Sequence, residues 1–173
     1  KPVATNEAWL SQALHMTLAA FVATGFAVAG VHAMRLLRHP DHPLHRRALP
    51  IALTFGAVAA LLQPLSGDLS AKDVARRQPA KLAAMEGHYH TERGAALVLG
   101  GIPDDKAQRV RYGLELPYML SVLAHGDPRA EVIGLDRIPL DERPPTLITH
   151  LAFQVMVAAG MILAALGAAF LWR

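Results

Sequence analysis

Three long apolar segments dominate the chain, and stretches rich in charged residues separate them. The segments run from about 9 to 37, from about 48 to 65 and from about 146 to 172. A helix needs about 20 mostly apolar residues to cross the hydrocarbon core of a bilayer, so we expect each segment to be a transmembrane helix. The second segment is the shortest and contains two prolines, and a buried helix of a soluble domain is the alternative for it.

The pattern predicts an all-α membrane protein with three transmembrane helices and a folded loop domain between the second and the third. Residues 1–66 form a transmembrane hairpin in this prediction, residues 67–145 form the loop domain, and residues 146–173 form the third helix. The loop contains helical patterns, turn signals at 100–105 and 125–128, and a strand-like stretch at 130–135, so we expect it to be ordered.

The short loop between the first two segments sets the predicted orientation of the chain. Its charged residues are four arginines and one acid: Arg35, Arg38, Arg46, Arg47 and Asp41. Short loops rich in arginine stay on the cytoplasmic side, so the loop domain at 67–145 is expected on the extracytoplasmic side. Histidines 39, 42 and 45 alternate with prolines in this short loop, which indicates a solvated basic segment rather than a metal site.

Composition supports the membrane assignment and excludes several other functions. Hydrophobic residues make up 53% of the chain and charged residues only 18%. There is no cysteine, so disulfides and thiolate metal sites are excluded. Lysines and arginines do not form a block interleaved with aromatic residues, and nucleic acid is therefore not an expected partner. The chain begins at Lys1 and ends at Arg173 directly after an apolar run, and we expect it to be a piece of a longer protein.

Ionisable and sulfur-containing side chains inside the apolar segments are the first candidates for a site. His15 lies roughly 9 Å from the outer end of the first predicted helix, and Met156 lies roughly 15 Å from the outer end of the third. An imidazole and a thioether at comparable depth are typical axial ligands of a six-coordinate haem that carries electrons. Hydrogen bonding between helices for the histidine, and ordinary packing for the methionine, remain open alternatives.

The other histidines give weaker signals. His32 lies near the cytoplasmic end of its helix, and the apolar segments supply no second histidine at that depth. His150 lies six residues before Met156, on another face of the helix, and is expected at the wet outer interface. His88 and His90 are expected to be surface residues of the loop.

The loop sequence resembles a known family. The stretch GDLSAKDVARRQPAKLAAMEGHY, which begins at Gly67, is followed by GIPD, LPYML and VIGL. Together these stretches resemble the quinol-binding loop of subunit I of cytochrome bd-type quinol oxidases. The flanking stretches ALHMTLAAFVATG and AFQVMVAAG are similar to the two helices that hold the low-spin b-type haem of that family. The order and spacing of the motifs match over the whole chain.

The resemblance implies roles for five residues. His15 and Met156 would be the axial ligands of the low-spin haem b. Lys81 and Glu86 would serve quinol oxidation, and Asp68 would lie near the same quinol-binding pocket. Five residues of regular helix separate Lys81 from Glu86 by about 140°, so we expect a helix break near Gly87 or contacts to different parts of the quinol. Without the resemblance, both would read as ordinary solvated charges.

The resemblance also implies the activity and its partners. Quinol would be oxidised at the outer face, and electrons would pass to haem b and then to high-spin haems b and d, which other helices ligate. The expected partners are quinol, the bilayer of the bacterial inner membrane, the remaining helices of subunit I and a second oxidase subunit. The fragment alone is not expected to reduce oxygen. A non-catalytic membrane scaffold, or a simple b-type haem electron-transfer module, is the alternative.

One position departs from the pattern of the family. Gln154 stands two residues before Met156, where many relatives carry an arginine. The amide keeps a hydrogen-bonding group but removes a positive charge near the expected haem. The resemblance therefore leaves the reduction potential of that haem open.

Overall fold

The structure is a computed structural model that describes residues 9–173. The chain divides into two compact units. The helix unit comprises the described residues up to Gly67 together with Ala158–Arg173, and the loop unit comprises Asp68–Val157. We describe each unit by itself.

Three long helices confirm the predicted membrane-spanning architecture. They are α1 (Trp9–Arg38), α2 (Pro43–Arg77) and α5 (Thr146–Leu171). Each contains a stretch long and apolar enough to cross a bilayer, and few of the residues in these stretches are buried. Apolar side chains that protein does not cover need lipid around them, which supports a membrane protein.

Helix α2 is longer at both ends than the apolar segment at 48–65. It begins at Pro43, where the missing N–H of proline costs nothing because the first N–H groups of a helix have no partner inside it. Pro64 and Gly67 do not end it, and it continues to Arg77. The apolar pattern marks only the part suited to lipid, and the polar turns after Gly67 extend the same helix.

Small residues bring α1, α2 and α5 together within the helix unit. A Cβ atom added at Gly25 of α1 would lie only 2.7 Å from the Cα atom of Gly56 in α2. A Cβ atom added at Gly167 of α5 would lie 2.9 Å from the Cα atom of Ala57. Such close backbone approach is typical of membrane helices, which associate through packing because lipid is as apolar as their side chains.

The loop unit contains two short helices and six short strands, so the all-α prediction is corrected to a mostly helical fold. The helices are α3 (Pro79–Glu86) and α4 (Met119–His125). Three antiparallel pairs hold the strands: β1 (Glu92–Arg93) with β6 (Glu131–Val132), β2 (Leu97–Leu99) with β5 (Leu114–Leu116), and β3 (Ile102–Asp104) with β4 (Arg109–Arg111). The strand-like stretch predicted at 130–135 contains β6.

Turns with positive φ explain why the strands are so short. Gly100 and Gly101 adopt φ values of 68° and 86° between β2 and β3. A Cβ atom at Gly101 would lie 2.5 Å from Val110 Cγ1, so only glycine fits there. The same segment was predicted as a turn, but the strand that follows it was not predicted. Strands of two or three residues carry too little alternation to show in the sequence.

A small apolar core ties the helices of the loop unit to its strands. Leu82 of α3, Leu120 of α4 and Val132 of β6 are almost completely buried in one cluster. This core fixes α3 within the unit, and α3 carries the two residues that the sequence singled out for quinol oxidation.

Candidate functional site

Glu86 is the last residue of α3, and its carboxylate is buried. Gly87 ends the helix with φ of 63°, and its N–H donates to the carbonyl oxygen of Ala83. The Glu86 side chain is only 2% exposed, and its Oε2 atom has no hydrogen-bond partner among residues 9–173. Burial disfavours the charged form and raises the pKa of Glu86 to about 7. A carboxyl group with these properties can accept and release a proton near neutral pH.

Lys81 lies on a different face of the same helix. It is exposed, whereas Leu82, Ala83 and Ala84 beside it are buried. The predicted end of the helix near Gly87 is confirmed, and so is the prediction that Lys81 and Glu86 do not share a face. The two charges cannot act on one atom from the same side of α3.

Asp68 lies in α2, where it forms an ion pair with Lys72 one turn later. The Asp68 Oδ2 atom lies 2.5 Å from Lys72 Nζ, and the Asp68 side chain is 44% exposed. The hydrogen-bond partner of the Asp68 carboxylate is thus Lys72 of its own helix, and neither Lys81 nor Glu86 of α3. The role of Asp68 near the quinol therefore stays a prediction.

The imidazole of His15 sits in a polar network within the helix unit. The hydroxyl of Ser66 donates to the carbonyl oxygen of Gln63 at 2.9 Å, and its oxygen lies 3.0 Å from His15 Nδ1. Because that hydroxyl proton is already used, Nδ1 of His15 donates to the Ser66 oxygen. The Nε2 atom then carries the lone pair, which is the tautomer that binds a metal through Nε2.

Gln63 at present satisfies that lone pair. Its Nε2 amide lies 3.2 Å from His15 Nε2 and donates to it, while its Oε1 atom is buried and has no hydrogen-bond partner within residues 9–173. His15 Nε2 could hold a haem iron only in place of this amide. The sequence analysis missed Ser66 and Gln63, although their spacing of three places both on one face of α2.

Met156 lies in α5, in the part that belongs to the loop unit. Its side chain is 57% exposed, so protein atoms do not enclose the thioether within that unit. A thioether is a weak but established ligand of haem iron. His15 and Met156 thus have the chemistry of axial ligands of haem iron.

His150 differs from its prediction as a wet interfacial residue. It is completely buried, because the loop unit folds over this part of α5. Its Nδ1 atom lies 2.9 Å from the carbonyl oxygen of Met85, and its Nε2 atom lies 3.1 Å from the carbonyl oxygen of Gly100. Gln154, one turn later, also binds the loop: it donates to Val98 O at 2.9 Å, and its Oε1 accepts from Gly100 N–H at 3.1 Å.

Two further histidine predictions need correction. His88 was expected at the surface but is buried, and its Nε2 atom lies 3.3 Å from Val132 O. His90 is exposed as predicted. His32 does have a histidine neighbour, since its Nδ1 lies 2.8 Å from Nδ1 of His45 in the first turn of α2. Among residues 9–173, however, no group of three or more potential ligands could hold a metal ion.

Comparison with known proteins gives a consistent result. A Bacillus subtilis (strain 168) relative, whose name refers to a cytochrome bd menaquinol oxidase subunit I, is 38% identical over 91% of this chain. Subunit 1 of the cytochrome bd-II ubiquinol oxidase of Escherichia coli (strain K12) is 30% identical over 83% of it. The solved bd oxidase structure from Geobacillus thermodenitrificans superposes with a TM-score of 0.86 and 39% identity, covering 95% of this chain.

The family model for subunit I of the cytochrome bd terminal oxidases matches residues 2–173. The chain therefore belongs to the cytochrome bd terminal oxidase subunit I family. It spans 36% of the length of the Bacillus subtilis relative, 28% of the Escherichia coli relative and 38% of the Geobacillus chain.

Proposed function

We propose that this chain is the quinol-oxidising part of a cytochrome bd-type terminal oxidase. The observation that carries the proposal is Glu86, a buried carboxylate with an unpartnered oxygen and a pKa near 7. Family membership supports it, because the names of the relatives refer to menaquinol and ubiquinol oxidases. In the proposal, quinol gives up two protons and two electrons and becomes quinone.

Glu86 is proposed as the base that accepts a proton from a quinol hydroxyl. Its unpartnered Oε2 atom is available as a hydrogen-bond acceptor for that hydroxyl. Because the carboxyl pKa is close to neutral, Glu86 can take up the proton and later release it to water. An ordinary exposed glutamate would be a weaker base, since its pKa lies about three units lower.

Lys81 and Asp68 are proposed to bind the quinol. Lys81 carries an exposed ammonium group away from Glu86, so it would contact a different oxygen of the ligand and stabilise negative charge there. Asp68 already pairs with Lys72, so we propose that it acts as part of that ion pair and not as a free base. The different roles of Lys81 and Glu86 follow from the different faces of α3 on which they lie.

His15 and Met156 are proposed as the axial ligands of a low-spin haem b, which accepts electrons one at a time when bound. The tautomer of His15 set by Ser66, and the exposed thioether of Met156, fit this role. Ser66 would fix the orientation of the imidazole, as second-sphere acceptors do in other metal sites. A haem held by both side chains would supply electron transfer and not oxygen binding.

Oxygen reduction is proposed to take place elsewhere in the complete oxidase. The high-spin haems b and d would be ligated by the remaining helices of subunit I, and a second subunit would join the complex. We place the protein in the bacterial inner membrane with the loop unit on the extracytoplasmic side. Protons from quinol would then be released outside the cell membrane.

Direct reduction by quinol tests the proposed function against a non-catalytic scaffold. Quinol is added to membranes that contain the complete subunit under anaerobic conditions. The α-band of a low-spin b-type haem should then appear within the time of one catalytic turnover of the oxidase. Membranes from cells without the subunit serve as the control. A subunit that assembles but shows no quinol-reducible b-type band would support the scaffold.

The orientation has its own test, since the arginines of the short loop predict that the loop unit faces outward. A cysteine replacing the exposed Lys106 of the loop unit should react with an impermeant maleimide added to intact spheroplasts. A cysteine replacing Asp41, whose side chain is 96% exposed in the short loop, is the matched control and should react only after the cells are broken. The reverse labelling pattern would overturn the orientation.

A further inference from the structure

The backbone on both sides of Glu86 touches one buried side chain, the imidazole of His150. The carbonyl oxygen of Met85, just before Glu86, lies 2.9 Å from His150 Nδ1. Just after Glu86, a Cβ atom at Gly87 would lie 3.3 Å from the same Nδ1 atom and 3.5 Å from Cε1. His150 is completely buried, so this contact excludes water.

The other edge of the imidazole faces a second carbonyl group. His150 Nε2 lies 3.1 Å from the carbonyl oxygen of Gly100, and the N–H of Gly100 donates to Gln154 Oε1 at 3.1 Å. The amide of Gln154 also donates to Val98 O at 2.9 Å. A neutral imidazole has one N–H and makes one of its two bonds at a time, whereas an imidazolium makes both.

A contact at the end of α3 matters because a helix this short gains little stability from its own hydrogen bonds. Helix α3 has eight residues, and isolated helices of that length are unstable in water. The last carbonyl groups of a helix have no partner within it, and a histidine near the C-terminus can satisfy them. In addition, a charged carboxylate is more stable in water than in a buried site, so the charged form of Glu86 favours a conformation that exposes it. A fixed contact at the end of α3 opposes both tendencies.

We propose that His150 is a positioning residue for quinol oxidation. Its imidazole, braced by the bonds of Gln154 to the Val98–Gly100 segment, holds the backbone of Glu86 so that the carboxylate stays where it accepts the quinol proton. The role rests on the proposed function of Glu86, since His150 acts only through that residue. Helix α5 thereby carries a loop anchor as well as the proposed haem ligand Met156.

The test uses the complete oxidase in native membranes and compares His150→Leu with His150→Gln. Leucine removes the hydrogen bonding of the imidazole and should lower kcat for quinol about 10- to 100-fold, because small displacements of a catalytic group cost that much. KM should change little, since Lys81 still binds the quinol. Glutamine keeps one donor and should recover part of the rate. His125→Leu, which removes an exposed histidine at the end of α4, is the matched control and should leave the rate unchanged.

A double variant separates positioning from a general effect on folding. In the Glu86→Gln background, His150→Leu should cause little further loss, because residues that act through one group are not additive. Independent losses that multiply would overturn the proposal. A normal rate for His150→Leu, or an equal fall in oxygen consumption driven by a donor that bypasses quinol, would also overturn it. If His150→Leu does not assemble, His150→Gln carries the same comparison.

Chemical labelling distinguishes a failure of this inference from a failure of the proposed function. A hydrophobic carbodiimide modifies buried protonated carboxyl groups, and its reaction with Glu86 can be followed by peptide mass analysis in the inactive state. Loss of the His150 contact should change the labelling rate of Glu86 several-fold and leave that of Glu115 unchanged. If Glu86→Gln oxidises quinol normally, the proposed function fails, and labelling still tests the anchor. An unchanged labelling rate in both His150 variants would overturn the anchor itself.

Discussion

Glu86→Gln is expected to slow quinol oxidation by roughly 10²–10⁴-fold, the range typical of a positioned acid–base group. Glutamine keeps the size of the side chain and removes its ability to accept a proton. Oxygen consumption driven by an artificial donor that bypasses the quinol site should be nearly unchanged, because Glu86 ligates no iron in the proposal.

Lys81→Ala should also slow quinol oxidation by at least about tenfold with normal haem spectra.

The dependence of the rate on pH gives a second signature of Glu86. Its pKa is raised to about 7, so the carboxyl group is protonated below that pH and cannot accept a proton. In the wild-type oxidase, kcat/KM for quinol should therefore fall as the pH drops through about 7. Glu86→Gln should lose this acid limb.

Exposed Glu115 in β5 offers a matched control for Glu86. Glu115→Gln removes an equivalent charge from the same unit and should keep both the rate and the pH profile. An equal loss of quinol and bypass activity in Glu86→Gln would show that Glu86 supports the fold or the downstream haems. The role assigned to the end of α3 would then fail.

The features that the sequence predicted well are those with a strong local signal. Three apolar segments of sufficient length produced the three long helices, because a bilayer imposes that length on any spanning helix. Gly87 as the end of α3 was also predictable, since glycine adopts positive φ without a steric penalty. The placement of Lys81 and Glu86 on different faces of α3 followed from the helical repeat alone.

The features that the sequence did not predict depend on contacts between distant segments. The sequence around His150 predicts a histidine at the wet interface, because the residues that bury it come from the loop unit. Its partner Met85 lies 65 positions away in the chain. Gln154 was noted only because many relatives carry an arginine there. The sequence of α5 does not indicate its hydrogen bonds to Val98 and Gly100. His45 was assigned to the loop because the apolar pattern begins later than helix α2 does.

Replacing either proposed haem ligand is expected to change the haem spectrum of the complete subunit. His15→Ala removes the imidazole and should abolish the low-spin b signal. Met156→Leu should leave a five-coordinate, partly high-spin haem, because an alkyl group cannot ligate iron. Both variants should lose electron transfer from quinol, whereas haems ligated by other helices should keep their spectra.

The chain offers a close control for each ligand in this last experiment. Met161 lies in α5 and is 58% exposed, against 57% for Met156, so Met161→Leu removes a comparable thioether from the same helix. His32→Ala removes the other histidine of α1. Both controls should keep a normal low-spin spectrum in membranes reduced with dithionite and examined at low temperature. If His15→Ala and Met156→Leu also keep it, the two residues are not the axial ligands, and the b-type haem is held elsewhere in the subunit.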